Sequence, residues 1–375
     1  MLAVSIGLLA SIIVFALSFI HRVRQGVGLM SARLGADVLV VPTGSRGSAE
    51  EVLLENQAKS FYMDRGVVER VSRIEGVERV TYQTYLVTLS GMCCSVPESM
   101  VIAFNQDTDF IVRPWLSGGR DMRLGRGEAF VGHESAFNIN LGLVEVDGML
   151  FGSVFKMKGV LEKTGTGLDN AIFISDEGMS DIIKNGRAPV RSGQISIVFV
   201  KVAEGRDPGK VAAAIENSII EVDAVARGDI GSGIISTLKD VSGVFSGTII
   251  IASILSIFLA WTVFSAVANE RAREVGIMRA VGAKGRHIMR LFMTEVILIG
   301  AVGGIAGAGC GTMLSISLGS GFKLLRNLPT DLAGMERLAI AFIGLVIGTL
   351  VCLVGALAPI QRLKKMEPIM VIKEE

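Results

Sequence analysis

The residues best suited to interaction chemistry are gathered in one short stretch, residues 269–290, NERAREVGIMRAVGAKGRHIMR. It carries Arg271, Arg273, Arg279, Lys284, Arg286 and Arg290 against Glu270 and Glu274, and glycines at 276, 282 and 285 punctuate it. The pattern reads as a basic helix–turn–helix, with Val275, Ile277, Met278 and Val281 offering an apolar edge to a partner's groove. A structural turn within a basic loop is the plainer alternative. Elsewhere the candidates are sparse. Cys93 and Cys94 are adjacent in GMCCSVPE. A vicinal disulfide, a soft-metal site, disulfides to other chains and two reduced thiols all stay open. As a metal site the pair is weak, because two neighbouring thiols make a poor tetrahedral set and no third Cys or nearby His accompanies them. Neither His133 nor His287 is accompanied in the sequence by residues that complete a metal or catalytic set. No Ser–His–Asp set, carboxylate pair or HExxH motif is present, so no catalytic residue is assigned and an enzyme is not expected. No G-x-x-x-x-G-K-[ST] phosphate loop occurs either; the nearest lookalikes, at Gly165 and Gly167 and at Gly231 and Gly233, lack the lysine.

What positions the basic stretch is a set of long apolar segments. Half of the 375 residues are hydrophobic and only 19 % are charged, an imbalance unusual for a soluble chain. The apolar excess lies at 2–20, 248–267, 291–318 and 338–360, each long enough to supply the ~20 residues that a helix needs to cross a bilayer. Buried soluble helices rarely run so long without a polar face. The expected class is therefore an α-helical membrane protein with four transmembrane helices. Lys and Arg concentrate on the cytoplasmic side of such helices. The 269–290 loop and the tail (Arg362, Lys364, Lys365, Lys373) are basic, which places both inside and residues 21–240 outside. His21, Arg22 and Arg24 follow the first span and point the other way. They suit interfacial anchoring, or contact with an anionic amphipathic cargo such as haem. The absence of a basic start suggests that residues precede the first one here, and the span lacks the cleavage site of a signal peptide. The net charge of +1 and the lack of a basic patch interleaved with aromatics argue against nucleic acid.

Three parts are expected: a first span (1–20), an extracytoplasmic α+β domain with its stalk (21–240), and a membrane part (241–375). Within 21–240 a helix leads into a strand at 36–44, and one helix covers 51–75. Strands follow at 77–89, 100–104, 128–131, 153–160, 170–174 and 196–202, bounded mostly by Gly, Pro, Asn and Asp. Helix 207–220 starts on Asp-Pro, and a split near 186–193 into two lobes is an option. Residues 233–247 read as a stalk helix running into span two.

Span three is dense in glycine. Gly300/Gly304, Gly303/Gly307 and Gly307/Gly311 are small-xxx-small pairs, and span four adds Gly344/Gly348. Such faces let helix backbones approach closely, whether within one chain or between two. Glu295 is the one ionisable residue of span three; it is costly toward lipid and should meet a partner helix or a polar crevice in a structural role. Cys310 and Cys352 read as packing residues.

The stretch ERAREVGIMRAVGAKGRHIMRLFMTEVILIGAVGGIAG, the closing pattern at Pro359, Arg362 and Pro368, and residues 128–180 together resemble the FtsX-like, MacB-type permeases of ABC transporters. The resemblance covers most of the chain. It implies a MacB-like periplasmic core domain and an FtsX-like permease domain. It also implies that Glu270, Arg271, Arg273, Glu274, Gly276, Arg279, Ala280, Gly282 and Ala283 belong to a segment docking on a separate ATPase subunit, present in two copies. ATP and magnesium would sit on that subunit, with no cofactor on this chain. A second permease chain in a homodimer, a periplasmic adaptor and a cell-membrane location are further implications. So is the export or extraction of a hydrophobic or lipid-like substrate through movement of the extracytoplasmic domain. A different class remains beside it: a signalling complex that controls a cell-wall hydrolase or sensor kinase without transport.

Overall fold

The computed structural model describes residues 1–55, 57–87, 100–117, 122–138, 147–186, 189–321 and 334–365. They fall into two units: Arg24–Ile235, and the remainder built on Met1–Val23, Ser236–Arg326 and Thr330–Glu375. The opening helix α1 (Leu2–Arg33) is unbroken. At 1.5 Å per residue it is about 48 Å long, well beyond the ~30 Å that a hydrocarbon core requires.

In the Arg24–Ile235 unit, α1 gives way to β1 (Val38–Pro42), α2 (Arg46–Glu55), β2 (Met63–Asp64), α3 (Gly66–Ser72) and β3 (Val77–Val87). Then follow β4 (Met100–Phe104), β5 (Glu128–Val131), α4 (His133–Asn138), β6 (Asp147–Leu150), β7 (Ser153–Val160), β8 (Ala171–Ser175) and α5 (Asp176–Lys184). The unit closes with β9 (Gln194–Ile195), β10 (Ile197–Val202), α6 (Pro208–Ser218) and β11 (Val222–Ala226). Among the described residues nine strands form one sheet, ordered β11-β1-β10-β3-β4-β8-β5-β7-β6, and β2 pairs with β9 separately.

The single helix expected over 51–75 is instead two short ones. Met63 is drawn into antiparallel pairing with Ile195, and the Asp64 carboxylate then accepts the Gly66 amide at 2.7 Å to start α3. Strands β2, β6, β9 and β11 lie outside the runs that the sequence marks as extended. The two-lobe option takes a different form. Two cores share the sheet, one around Val38, Val198, Val200, Ile215 and Val222, the other around Leu86, Val101, Ala129, Ile172 and Ile182. Strand β3 pairs with β10 through its first half and with β4 through its second. The chain thus enters the second core within β3 and returns after 186–193, so the first core is closed by elements from both ends of the unit.

One close approach ties α2 to this scaffold. Asp169 accepts from the Thr164 amide and hydroxyl and the Gly165 amide at 2.7–2.8 Å, holding the loop so that Gly167 meets α2. A methyl group on Gly167 would sit 1.9 Å from the Val52 carbonyl oxygen. Gly167→Ala is therefore expected to lower stability by about 3 kcal/mol, the upper end of overpacking. Gly47→Ala, facing open space in the same α2, should raise it by up to ~1 kcal/mol through helix propensity. Thermal unfolding of the two variants, read by circular dichroism, checks the difference in sign.

In the other unit α7 (Ser232–Glu270), a short α8 (Ala272–Ala280), α9 (Gly285–Gly321) and α10 (Gly334–Lys365) complete the chain. Helices α1, α7, α9 and α10 are each long and apolar enough to cross a membrane. Stalk and second span form one helix, in agreement with the sequence pattern.

Candidate coupling segment at the membrane face

Residues 269–290 fold as a helical hairpin against the ends of the spans. The regular helix of α7 stops at Arg271, whose φ of −93° and ψ of 7° interrupt it before α8 begins. Helix α8 ends in a Schellman closure: the Ala283 amide donates to Met278 O at 2.9 Å and the Gly282 amide to Arg279 O at 3.0 Å. Gly282 has φ +98°, a conformation costly for any residue with a Cβ, so glycine is required there. The roles of Gly282 and Ala283 in this hairpin are thus to stop α8 and turn the chain into α9.

The apolar edge expected of α8 divides in two. Val275 is buried in a core shared with Phe264, Ile288, Phe292, Val296 and Ala356, and Met278 packs against the same core, so neither is free for a partner. Ile277 and Val281 face outward, 58 % and 84 % exposed. Glu270, Arg273, Glu274 and Ala280 are exposed beside them, while Gly276, Arg279 and Ala283 are half-buried. Arg271 is exposed but engaged: its Nη1 lies 3.2 Å from Glu295 Oε2 on α9. The polar partner expected for Glu295 is thus an arginine of the basic segment itself.

The small-residue faces are consumed within the chain. An added Cβ at Gly303, Gly307 or Gly311 would meet the carbonyl oxygens of Ala3, Gly7 or Ser11 of α1 at 2.6, 2.1 and 2.7 Å. Gly300 and Gly304 lie against Thr349 and Leu345 of α10, and Gly344 and Gly348 against Val14 and Ile6 of α1. Cys352 is buried with its thiol 3.8 Å from Val296 O, whereas Cys310 is exposed on α9 rather than packed. His21 Nε2 lies 3.6 Å from Glu336 Oε1, and Arg22 donates to Ser315 O at 3.1 Å. Cys93, Cys94, Pro368 and Lys373 lie outside the described residues.

In the Arg24–Ile235 unit, a cleft of about 510 Å³ is lined by Arg65, Glu69, Ser72, Tyr82, Asn105 and Thr108. The Arg65 guanidinium stands 4.7 Å over the Tyr82 ring. The Tyr82 hydroxyl donates to Asp176 at the start of α5 and accepts from Asn105 at 3.2 Å. Burial holds the Asp176 carboxyl above its ordinary range, with the Tyr82 hydrogen bond and Arg65 opposing it. This set joins the two cores of the sheet.

A bundle of four candidate spans, an α/β domain inserted between the first two, and a capped basic hairpin between the second and third define a permease-type membrane subunit with an extracytoplasmic domain. The family model for the MacB-like periplasmic core domain matches residues 1–218, and that for the FtsX-like permease C-terminal matches residues 246–368. The chain belongs to this family of FtsX-like permeases with a MacB-like periplasmic core. Among curated relatives, it is 30 % identical over 185 residues to the macrolide export ATP-binding/permease protein MacB of Campylobacter fetus, covering 47 % of this chain and 27 % of that protein. It is 30 % identical over 113 residues to the pyoverdine export ATP-binding/permease protein PvdT of Pseudomonas syringae pv. tomato, covering 28 % of this chain and 15 % of the relative. The chain thus spans about a quarter or less of the length of these relatives. Among solved structures, the periplasmic region of MacB from Actinobacillus actinomycetemcomitans aligns with 54 % of this chain and 94 % of its own, at 12 % identity and a TM-score of 0.36.

Proposed function

We propose that the chain is the permease subunit of an ABC exporter, coupling ATP hydrolysis on a separate ATPase to movement of its extracytoplasmic domain. The observation that carries this reading is the face of α8, where Ile277 and Val281 stand exposed beside Arg273 and Glu274 on a helix that its own bundle holds in place. Exposed apolar side chains within a charged rim suit a groove on a partner protein. ATP and magnesium would be bound by two ATPase copies, and two permease chains would complete the assembly, with a periplasmic adaptor as a further partner. The relatives are named for macrolide and pyoverdine export, and the cargo proposed here is a hydrophobic or lipid-like compound taken from the outer leaflet or the extracytoplasmic side. The membrane is expected to be the cell membrane.

The test is co-purification of the full chain from its native membranes, with the ATPase identified by peptides spanning its phosphate loop. An Ile277→Asp/Val281→Asp variant is expected to reduce the recovered ATPase at least tenfold. Full recovery with that variant removes α8 from the interface. Arg271 is a poor choice for this purpose, since its loss also breaks an intrachain ion pair.

A further inference from the structure

The coupling segment has one weak point in its own architecture. At Arg271 a single residue departs from helical geometry, so α7 and α8 are two helices joined at one irregular residue, spanned by the Arg271 amide on Val267 O and the Val275 amide on Arg271 O, both at 3.0 Å. A push delivered to α8 can be dissipated there. Three attachments instead bind α8 to α9. The Schellman turn at Gly282 and Ala283 holds its far end, and at its middle Val275 is buried in a core with Ile288 and Phe292 of α9 that Phe264 of α7 also joins. The Arg271–Glu295 ion pair, at 3.2 Å, holds its near end.

Resting on the coupling role proposed above, we propose that Glu295 is a positioning residue which, by pairing with Arg271, makes α8 a rigid extension of α9, so that motion of the segment passes into α9 and not into the α7 junction. Helix α9 is the span that meets α1 backbone to backbone through Gly303, Gly307 and Gly311. Helix α1 runs unbroken to Arg33, and β1 begins at Val38. Helix α7 is the least enclosed of the four spans, with 17 % of its most apolar stretch buried against 44 % for α1. The route for force is therefore α8 to α9 to α1, with α7 following. Two attachments remain when the ion pair is removed, and α8 then pivots about Val275.

The experiment uses the full complex with its ATPase in nanodiscs, carrying an environment-sensitive fluorescent amino acid in place of Ile220, which is 92 % exposed in the extracytoplasmic unit. The wild type is expected to show an ATP-dependent fluorescence change. Glu295→Gln should keep the ATPase bound, keep its hydrolysis rate within twofold, and shrink that change at least fivefold, and Arg271→Gln should shrink it as far. The double variant Arg271→Glu/Glu295→Arg should restore more than half of it, which a general loss of structure would not allow. An unaltered response in both single variants overturns the proposal, as does a double variant no better than the singles. If Arg271→Gln loses the ATPase while Glu295→Gln does not, Arg271 serves the partner and the proposal fails. A wild-type chain that carries no ATPase defeats the coupling reading itself, and is told apart by that loss of association.

Discussion

Replacing Gly307 with leucine is expected to prevent assembly of the membrane bundle, while the same change two residues on, at Gly309, should be nearly silent. The difference lies in what a Cβ would meet. At Gly307 it falls 2.1 Å from the Gly7 carbonyl oxygen and 2.8 Å from the Gly7 carbonyl carbon and Cα. Ordinary contact needs separations near 3.5 Å, so even a methyl group 2.1 Å from that oxygen demands that two helix backbones part by about 1.4 Å. No side chain can rotate to relieve this, because the three nearest atoms all belong to the Gly7 backbone. Gly303 and Gly311, one turn to either side, make the same kind of approach to α1, and parting the helices loses those contacts too. In lipid no hydrophobic gain draws the helices back together, since tails are as apolar as side chains. The cost should therefore exceed the ~1–3 kcal/mol typical of overpacking in a core that can yield. At Gly309 no atom lies within 4 Å. Purified in detergent, the Gly307→Leu chain should aggregate or lose its helical signal at least ~10 °C below the Gly309→Leu chain, a few kcal/mol being worth several degrees. Equal unfolding temperatures would show that α1 and α9 do not meet at this face.

The second large effect is expected from Asp37→Ala, in the extracytoplasmic unit. Asp37 stands between Arg33, the end of α1, and Val38, the start of β1, and it is buried. Its carboxylate accepts Lys201 Nζ at 2.9 Å and the Val202 amide at 3.2 Å, and faces Arg227 Nη1 at 3.3 Å. Its carbonyl accepts the Arg227 amide at 2.8 Å, directly after β11. One side chain therefore ties the strand that enters the unit to the strand that leaves it toward α7. Truncation leaves a buried amide without its acceptor and two cations without their counter-charge. Breaking a buried pair costs about 3–5 kcal/mol. Lys201 and Arg227 reach solvent, at 33 % and 46 % side-chain exposure, so a loss of about 2–3 kcal/mol is the better figure once solvent screening is counted. Asp37→Asn keeps an acceptor and should lose about half of that. Glu75→Ala, which removes an exposed pair with Arg206 (58 % for the arginine, 83 % for the glutamate), should cost well under ~1 kcal/mol. Chemical unfolding of the three variants orders them. Hydrogen exchange should also quicken first at Val225 and Ala226 in Asp37→Ala; uniform acceleration across the sheet would remove the clamp.

Much of this protein is legible in the order of its residues alone. Four apolar runs, each about as long as a bilayer is thick, stand out by composition. The excess of Lys and Arg at 269–290 orients them, because each such charge resists translocation independently of the fold. The turn at Gly282 is visible as a glycine after a helical pattern. The strands β3, β4, β5, β7, β8 and β10 are legible because runs of Val, Ile, Phe and Thr between turn residues carry a local signal. Strand β11 is not: VDAVA is short and charged at its second position, and it is a strand because β1, some 180 residues earlier, offers Val38–Pro42 as a partner. The helix expected over 51–75 fails for the same reason. Its apolar spacing suits a helix, but the pairing of Met63 with Ile195 overrides it.

The candidate site divides along the same line. Residue type and spacing mark 269–290 as a partner surface, since periodicity within one helix is local information. Which face of α8 remains open is not local. Val275 and Ile277 are both apolar, and only the core that Val275 shares with Phe264 of α7, with Ile288 and Phe292 on the returning helix and with Ala356 of α10 buries the first and leaves the second exposed. Likewise the glycine spacing of α9 announces a close helix contact but not its partner. The tertiary structure places α1 against 303, 307 and 311 and α10 against 300 and 304. Glu295 follows the same rule. The sequence by itself determines that a carboxylate near the membrane must find a cation or a polar niche, because the cost of leaving it bare is a property of the residue. That the cation is Arg271, 24 positions away across a helical turn, is decided only when α8 folds back onto α9.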